Sequence, residues 1–242
     1  MCDEIQGDYM DSKFFKKANL VFDILLFICF SIAAMVGVYI MIDARNVYIS
    51  GCAYQELRNF IPEKEETEKV LREISGNAIA WITVEDTTIS YPVVQGEDNL
   101  EFLSKDPEGN YSMAGSIFLD FRNQSDFTDS YNVVYGHHMP DTLMFGALDD
   151  FSEKEFFMTH RDGILSLPDR QIPFQTAAFL IVPAGCEEIF EPGYQADYPE
   201  FFRKAASIYE PEVMTGHLVA LTTCAEDAEH FREVLILALE EG

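Results

Sequence analysis

The sequence predicts a mainly β protein: a closed eight-stranded β-barrel with helical inserts, preceded by an N-terminal transmembrane helix and a helical brace. Three observations predict it. Eight short runs of β-prone, apolar residues are separated by turn chemistry. Few long helical patterns lie between them, and closure into a barrel removes the sheet edges that such runs would otherwise expose. Hydrophobic residues at 48% and aromatics at 13% of 242 residues supply a sizeable core, enough for one domain of ordinary size plus attachments.

The chain opens with a tail, residues 1–19, and an apolar anchor, residues 20–43. Ile24 to Ile42 is nineteen residues without a charge, and at about 1.5 Å per residue such a helix spans close to the roughly 30 Å hydrocarbon core. Lys13, Lys16 and Lys17 precede it while only Arg45 follows closely, which puts the N-terminus in the cytoplasm and the remainder outside the cell. A cleaved signal peptide would carry a shorter apolar region with a small-residue site close behind; here Asp43 and Arg45 intervene. Ile49-Ser50-Gly51-Cys52 resembles a lipoprotein processing box, but Asp43 to Asn46 separates it from the apolar run, so an uncleaved single-pass anchor is the expectation.

Residues 44–78 read as an extracellular stalk and brace. Leu57, Phe60, Ile61, Val70, Leu71 and Ile74 are intermittent apolar points in a helix-prone stretch, and Pro62 divides it into two pieces. Residues 79–242 form the barrel. Its strands are expected at Ala80 to Val84, Ile89 to Val94, Ser116 to Asp120, Asn132 to Gly136, Gly163 to Leu167, Ile172 to Val182, Leu218 to Cys224 and Glu233 to Leu239. Helical inserts are expected at Asn99 to Leu103, Leu143 to Asp150, Glu153 to His160 and Tyr198 to Tyr209.

Charge and cysteine usage narrow the function classes. The formal charge is −26, nearly all of it beyond residue 45. Phosphate backbones need clustered Lys and Arg, so nucleic-acid binding is excluded. The acidity suits solubility in a salty exterior; a weak calcium site of surface carboxylates is the sharper alternative. Cys2, Cys29, Cys52, Cys186 and Cys224 form no CxxC and show no zinc spacing, so no metal site is expected. Three of them lie beyond the membrane, an odd number compatible with one free working thiol. A Cys186–Cys224 bridge would disable such a thiol.

The chemistry gathers at Gly216-His217-Leu218-Val219-Ala220-Leu221-Thr222-Thr223-Cys224, with Arg232 eight residues after the cysteine. Two apolar runs flanking Ala225 to His230 read as an antiparallel hairpin that returns Arg232 toward Cys224. A fixed cation beside a thiol favours the thiolate and can hold a developing oxyanion. Cys186 stands beside Glu187 and Glu188, which disfavour its thiolate; Glu226 and Asp227 complicate the field of Cys224 as well. Among the histidines, His160 follows a helical insert, and His217 is seven residues back along the strand of Cys224, about 23 Å when extended. His230 lies in the connecting loop. His137 and His138 follow Val133-Val134-Tyr135-Gly136, where glycine lets the chain turn at a strand end.

Leu221-Thr222-Thr223-Cys224 with Arg232, Val134-Tyr135-Gly136-His137-His138-Met139, and Ala114-Gly115-Ser116-Ile117-Phe118-Leu119-Asp120 resemble the three signature stretches of the sortase transpeptidases. The eight-residue interval from Cys224 to Arg232 and the stretch Tyr91-Pro92-Val93-Val94-Gln95-Gly96 resemble class B. Ala220 departs from the usual threonine at the head of the cysteine motif. The resemblance, which covers about Ala80 onward, implies a sortase-type barrel without a cofactor. It assigns Cys224 as nucleophile, His137 as acid and base, and Arg232 as oxyanion partner. His138 is left to support the structure or bound the pocket. It further implies a peptide groove lined by Asn99, Leu103, Thr222 and Thr223; capping for Asn99 and core packing for Leu103 are the plainer readings. The implied partners are secreted proteins bearing a C-terminal sorting motif and an amine acceptor, either a peptidoglycan precursor or a pilin lysine. An exported cysteine protease and a noncatalytic membrane-anchored adhesion or scaffold domain are the competing readings.

Overall fold

The computed structural model describes residues 2–57, 61–63, 65–192, 198–214, 216–224 and 231–240. The chain divides into two compact units, residues 1–46 and 47–242. Helix α1 (Cys2–Glu56) supplies the described part of the first unit and runs on into the second. Its apolar side chains from Leu20 to Ile42 are exposed, and among the described residues it is the one helix long and apolar enough to cross a membrane. Ser31 Oγ donates to the Phe27 carbonyl at 2.8 Å, so the hydroxyl within this stretch is satisfied along the helix itself.

The second unit begins at Val47, so the segment expected as stalk and brace is largely a brace on the barrel. At Gly51 α1 lies against the thioether of Met139, and a Cβ there would oblige the end of that methionine side chain to shift. One turn on, buried Tyr54 accepts from the Ile117 amide at 3.0 Å and donates to the Pro92 carbonyl at 3.1 Å. Pro62 then separates α1 from α2 (Thr67–Ile74), which buries Thr67 and Leu71 and packs against the first strand.

Among the described residues nine strands follow: β1 (Ala78–Val84), β2 (Ser90–Val94), β3 (Phe118–Leu119), β4 (Tyr131–Tyr135), β5 (Asp162–Ser166), β6 (Gln171–Pro183), β7 (Ile208–Tyr209), β8 (Leu218–Cys224) and β9 (Phe231–Leu239). Eight of them close in the order β1-β2-β3-β4-β8-β9-β6-β5 and back to β1. The barrel is mixed, with β2–β3 and β4–β8 parallel and the other neighbours antiparallel. These are the eight expected strands.

The helix expected over Glu153 to His160 is present, while the ninth strand and the other three inserts differ from expectation. The helix expected over Tyr198 to Tyr209 stops early, as α5 (Tyr198–Ala205), and Ile208 and Tyr209 pair with β6 instead. Asn99 to Leu103 contains only a 3-10 turn at Glu101–Leu103. Leu143 to Asp150 gives way to a 3-10 stretch at Phe145–Ser152, followed by α3 (Lys154–Thr159). A further short helix, α4 (Glu187–Phe190), was not foreseen.

Two apolar layers explain why β8 and β9 read as continuous hydrophobic runs rather than alternating ones. Val219, Leu221, Leu235 and Leu237 point into the barrel core. Ala220, Val234 and Ile236 point outward, beneath Phe202 of α5 and Ile189 of α4. Strands covered on both faces have no polar side to show. Burying each large side chain contributes about 1.5–3 kcal/mol, and that rigid frame fixes what stands at the strand ends.

Candidate active site

The site lies where β4, β8 and β9 end side by side. Parallel pairing sets Tyr135 beside Thr222, and His137 and Cys224 each stand two residues beyond that pair. Antiparallel pairing sets Arg232 directly across from Cys224. The backbone thus brings the three predicted catalytic positions to the same end of three adjacent strands. The side chain of Cys224 and residues 225–230, with Glu226, Asp227 and His230, lie outside the described residues.

Period-two alternation sorts the side chains. Tyr135, Thr222 and Arg232 share the outward face and line one groove with His137 and His138, of about 430 Å³. Asn99 and Leu103 line the same groove, along with apolar Phe102, Ala114 and Phe118. Thr223 does not. It is one residue out of phase, buried beside interior Leu221, so its expected place in the peptide groove is corrected by the pleat of β8. Thr222 Oγ1 is buried in the groove wall and makes no hydrogen bond among the described residues.

A strained loop carries His137. At Gly136 a side chain would overlap Phe145 and Ile117. Beyond it, Asp141, Thr142 and Met144 hold positive φ of 59°, 56° and 48°, conformations that persist only where the surroundings over-determine them. Here they are over-determined. Phe145 N donates to the His137 carbonyl at 3.1 Å, Met144 N to Tyr91 Oη at 3.0 Å, and Thr88 Oγ1 to the Thr142 carbonyl at 2.8 Å. His138 Nε2 meets Asp149 at 2.8 and 3.0 Å, pinning the two sides of the loop together.

The electrostatics follow from this packing. His137 is exposed at the rim, yet the protein around its ring, and secondly the charge of His138, hold its pKa below the ordinary imidazole value. Burial first, and then Asp120, push the Tyr135 phenol well up, while the cations of Arg122 and then Arg232 partly draw it down. His138, Asp149 and Glu233 offer ligand atoms within 4.8 Å of one another, but the short contacts from His138 to Asp149 are those of a hydrogen-bonded pair.

The remaining candidates sort away from the groove. His160 stacks on Phe156 at 3.8 Å, and His217 Nδ1 lies 2.8 Å from the Asp129 carbonyl. Cys186 is a free thiol held up in pKa by burial and then by Glu188, to which its Sγ donates at 3.4 Å. Cys52 is also free, half-buried against the barrel core. Asn99 is not the cap of its turn: Asp98 Oδ1 accepts from Leu100 and Glu101 amides at 2.8 and 2.9 Å. Leu103 is 56% exposed and packs in no core. Asp149 and Tyr135 had no role in the sequence reading; the alternation Val133-Val134-Tyr135 put Tyr135 on the outer face, whereas nothing local pairs Asp149 with His138.

Comparison with known proteins agrees with this architecture. Sortase B of Staphylococcus aureus is 29% identical over 187 residues, covering 73% of this chain and 74% of the relative. Sortase B of Listeria monocytogenes is 25% identical over 206 residues, 82% of each. The crystal structure of a Streptococcus pyogenes class B sortase involved in pilus biogenesis superposes with a TM-score of 0.66 at 33% identity, over 74% of this chain and all of that one. Clostridium perfringens sortase B, in a mutant form, gives 0.69 at 25% identity, over 78% and 97%. No family model matches the chain.

Proposed function

The chain belongs to the sortase family, most similar to class B, and is a cysteine transpeptidase; we propose that Cys224, His137 and Arg232 carry its acyl transfer. One observation supports this most: β4, β8 and β9 end together beside a groove that holds His137 and Arg232 and has in its wall a buried hydroxyl without a hydrogen-bond partner among the described residues.

In the first half-reaction the Cys224 thiolate attacks a backbone carbonyl of a sorting peptide. A C–S bond forms and the carbonyl pair moves onto oxygen, where the Arg232 fork meets it. Imidazolium His137 gives its proton to the amine as the C–N bond breaks, leaving a thioester. In the second half neutral His137 takes a proton from an incoming amine, whose nitrogen displaces the thiolate. The enzyme returns to its starting charge, so no cofactor enters the balance. Asn99, Leu103 and Thr222 hold the peptide along the groove.

The donors are secreted proteins with a C-terminal sorting motif, and the acceptor amine belongs to a peptidoglycan precursor or a pilin. Helix α1 anchors the enzyme, with residues 1–19 in the cytoplasm, residues 20–43 in the membrane, and the brace of 44–78 and barrel of 79–242 outside. The exposed apolar side chains of α1 and the lysines before them support that topology. The test is to incubate the full chain in detergent micelles with a sorting-peptide library, with and without an added primary amine, and to weigh the products. Amine-dependent ligation is expected; hydrolysis indifferent to amine would favour a protease.

A further inference from the structure

We propose that Asp120 is a positioning residue that fixes the hydrogen-bonding polarity of the groove, turning Asn99 so that it offers an N–H donor to a backbone carbonyl of the bound peptide. The proposal rests on the reading of this groove as the peptide site. Asp120 is completely buried, and a buried carboxylate is tolerated only where donors surround it. Its Oδ1 accepts from Arg122 N at 3.0 Å and Nε at 2.9 Å; its Oδ2 accepts from Arg122 Nη2 and Asn99 Nδ2, both at 2.8 Å, and from Tyr135 Oη at 3.2 Å. Burial pushes the Asp120 carboxyl up, but Arg122 and Asn99 more than offset it and keep the group below the usual carboxylate range.

An ionised carboxylate can only accept and a backbone amide can only donate. Asn99 stands between one of each. Its Nδ2 faces Asp120, and its Oδ1 accepts from Phe121 N at 3.0 Å. The reverse orientation would set oxygen against carboxylate and NH₂ against N–H, so the assignment is forced by the partners. One Nδ2 hydrogen is spent on Asp120, and the other is left for the groove that Asn99 lines. The same carboxylate holds Tyr135 in the groove wall. Through Arg122, whose Nη2 reaches the Phe190 carbonyl at 2.9 Å and Nη1 Glu191 at 3.2 Å, it also ties the end of α4 to this frame.

The test compares Asp120→Asn, Asn99→Asp and the swap carrying both, as full chains in detergent micelles. The probe is whichever member of a fluorogenic peptide library the wild type cleaves best. Each single variant is expected to raise KM about ten-fold, the worth of one hydrogen bond, with kcat within about two-fold once active thiol is titrated. The swap rebuilds a 99–120 hydrogen bond with its direction reversed. It is expected to recover melting temperature relative to Asp120→Asn while KM stays high, because the groove now sees an acceptor. Recovery of KM together with stability, or a wild-type KM in either single variant, would overturn the proposal. Should Asp120→Asn not fold, Asn99→Asp decides alone by the same criterion, since Asn99 is half-buried at the groove and belongs to no core cluster. A wild type that cleaves nothing in the library would instead refute the peptide-site reading, and this proposal with it.

Discussion

Replacing Tyr54 by Phe removes one oxygen from the joint between helix α1 and the barrel. The ring stays, packed in the core 5.5 Å from Tyr91 between centroids, so the packing contribution is retained. What is lost is the acceptor for the Ile117 amide and the donor to the Pro92 carbonyl. Ile117 is completely buried, and an orphaned amide there costs about 1–3 kcal/mol, with about 0.5–1.5 kcal/mol more for the second bond. The sum is about 2–4 kcal/mol. For a domain of this size each kcal/mol lowers Tm by roughly 2–4 °C, so a fall of about 4–16 °C is expected by scanning fluorimetry in detergent micelles. The barrel itself is untouched, and kcat well below the transition is expected to stay within about two-fold. A Tm within about 1 °C of wild type would refute the claim that this hydroxyl joins the brace to the barrel.

Other outcomes follow from the site. Arg232→Lys keeps the charge but loses the planar fork, so kcat/KM falls by about 10²–10³ with little change in Tm. Because His137 titrates below the ordinary imidazole value of 6.5, the acid limb of the pH dependence of kcat/KM is expected below that value. His138→Gln, which removes the repelling charge, moves that limb upward; a limb that stays put contradicts the coupling. Cys186→Ser leaves transpeptidation unchanged, since that thiol is half-buried and held protonated by burial and Glu188; loss of activity would point to a second working cysteine.

The eight barrel strands were legible because each is a self-contained run bounded by turn residues, and their burial on one or both faces only reinforces that local signal. Strand β7 was not, because two residues become a strand only by pairing Ile208 and Tyr209 with Phe179 and Ala178 across the fold. That the ends of β4, β8 and β9 bring positions 137, 224 and 232 to one end of the barrel was readable from motif and hairpin logic, since only six residues separate β8 from β9. Thr223 was misplaced even though alternation about Thr222 and Cys224 already put it on the opposite face. The pairs Asp149–His138 and Asp120–Asn99 could not be read at all. They join residues eleven and twenty-one positions apart through a strained loop and an irregular connection, where neither the period of a strand nor that of a helix carries information.

The most direct test is to trap the acyl-enzyme. The full chain is mixed with its best-cleaved library peptide in the absence of amine, quenched in acid, digested and sequenced by mass spectrometry. A thioester mass on the peptide containing Cys224, discharged when a primary amine is added before the quench and lost in Cys224→Ala, is the predicted result. An adduct on Cys186 or Cys52, or undiminished turnover by Cys224→Ala, would contradict it.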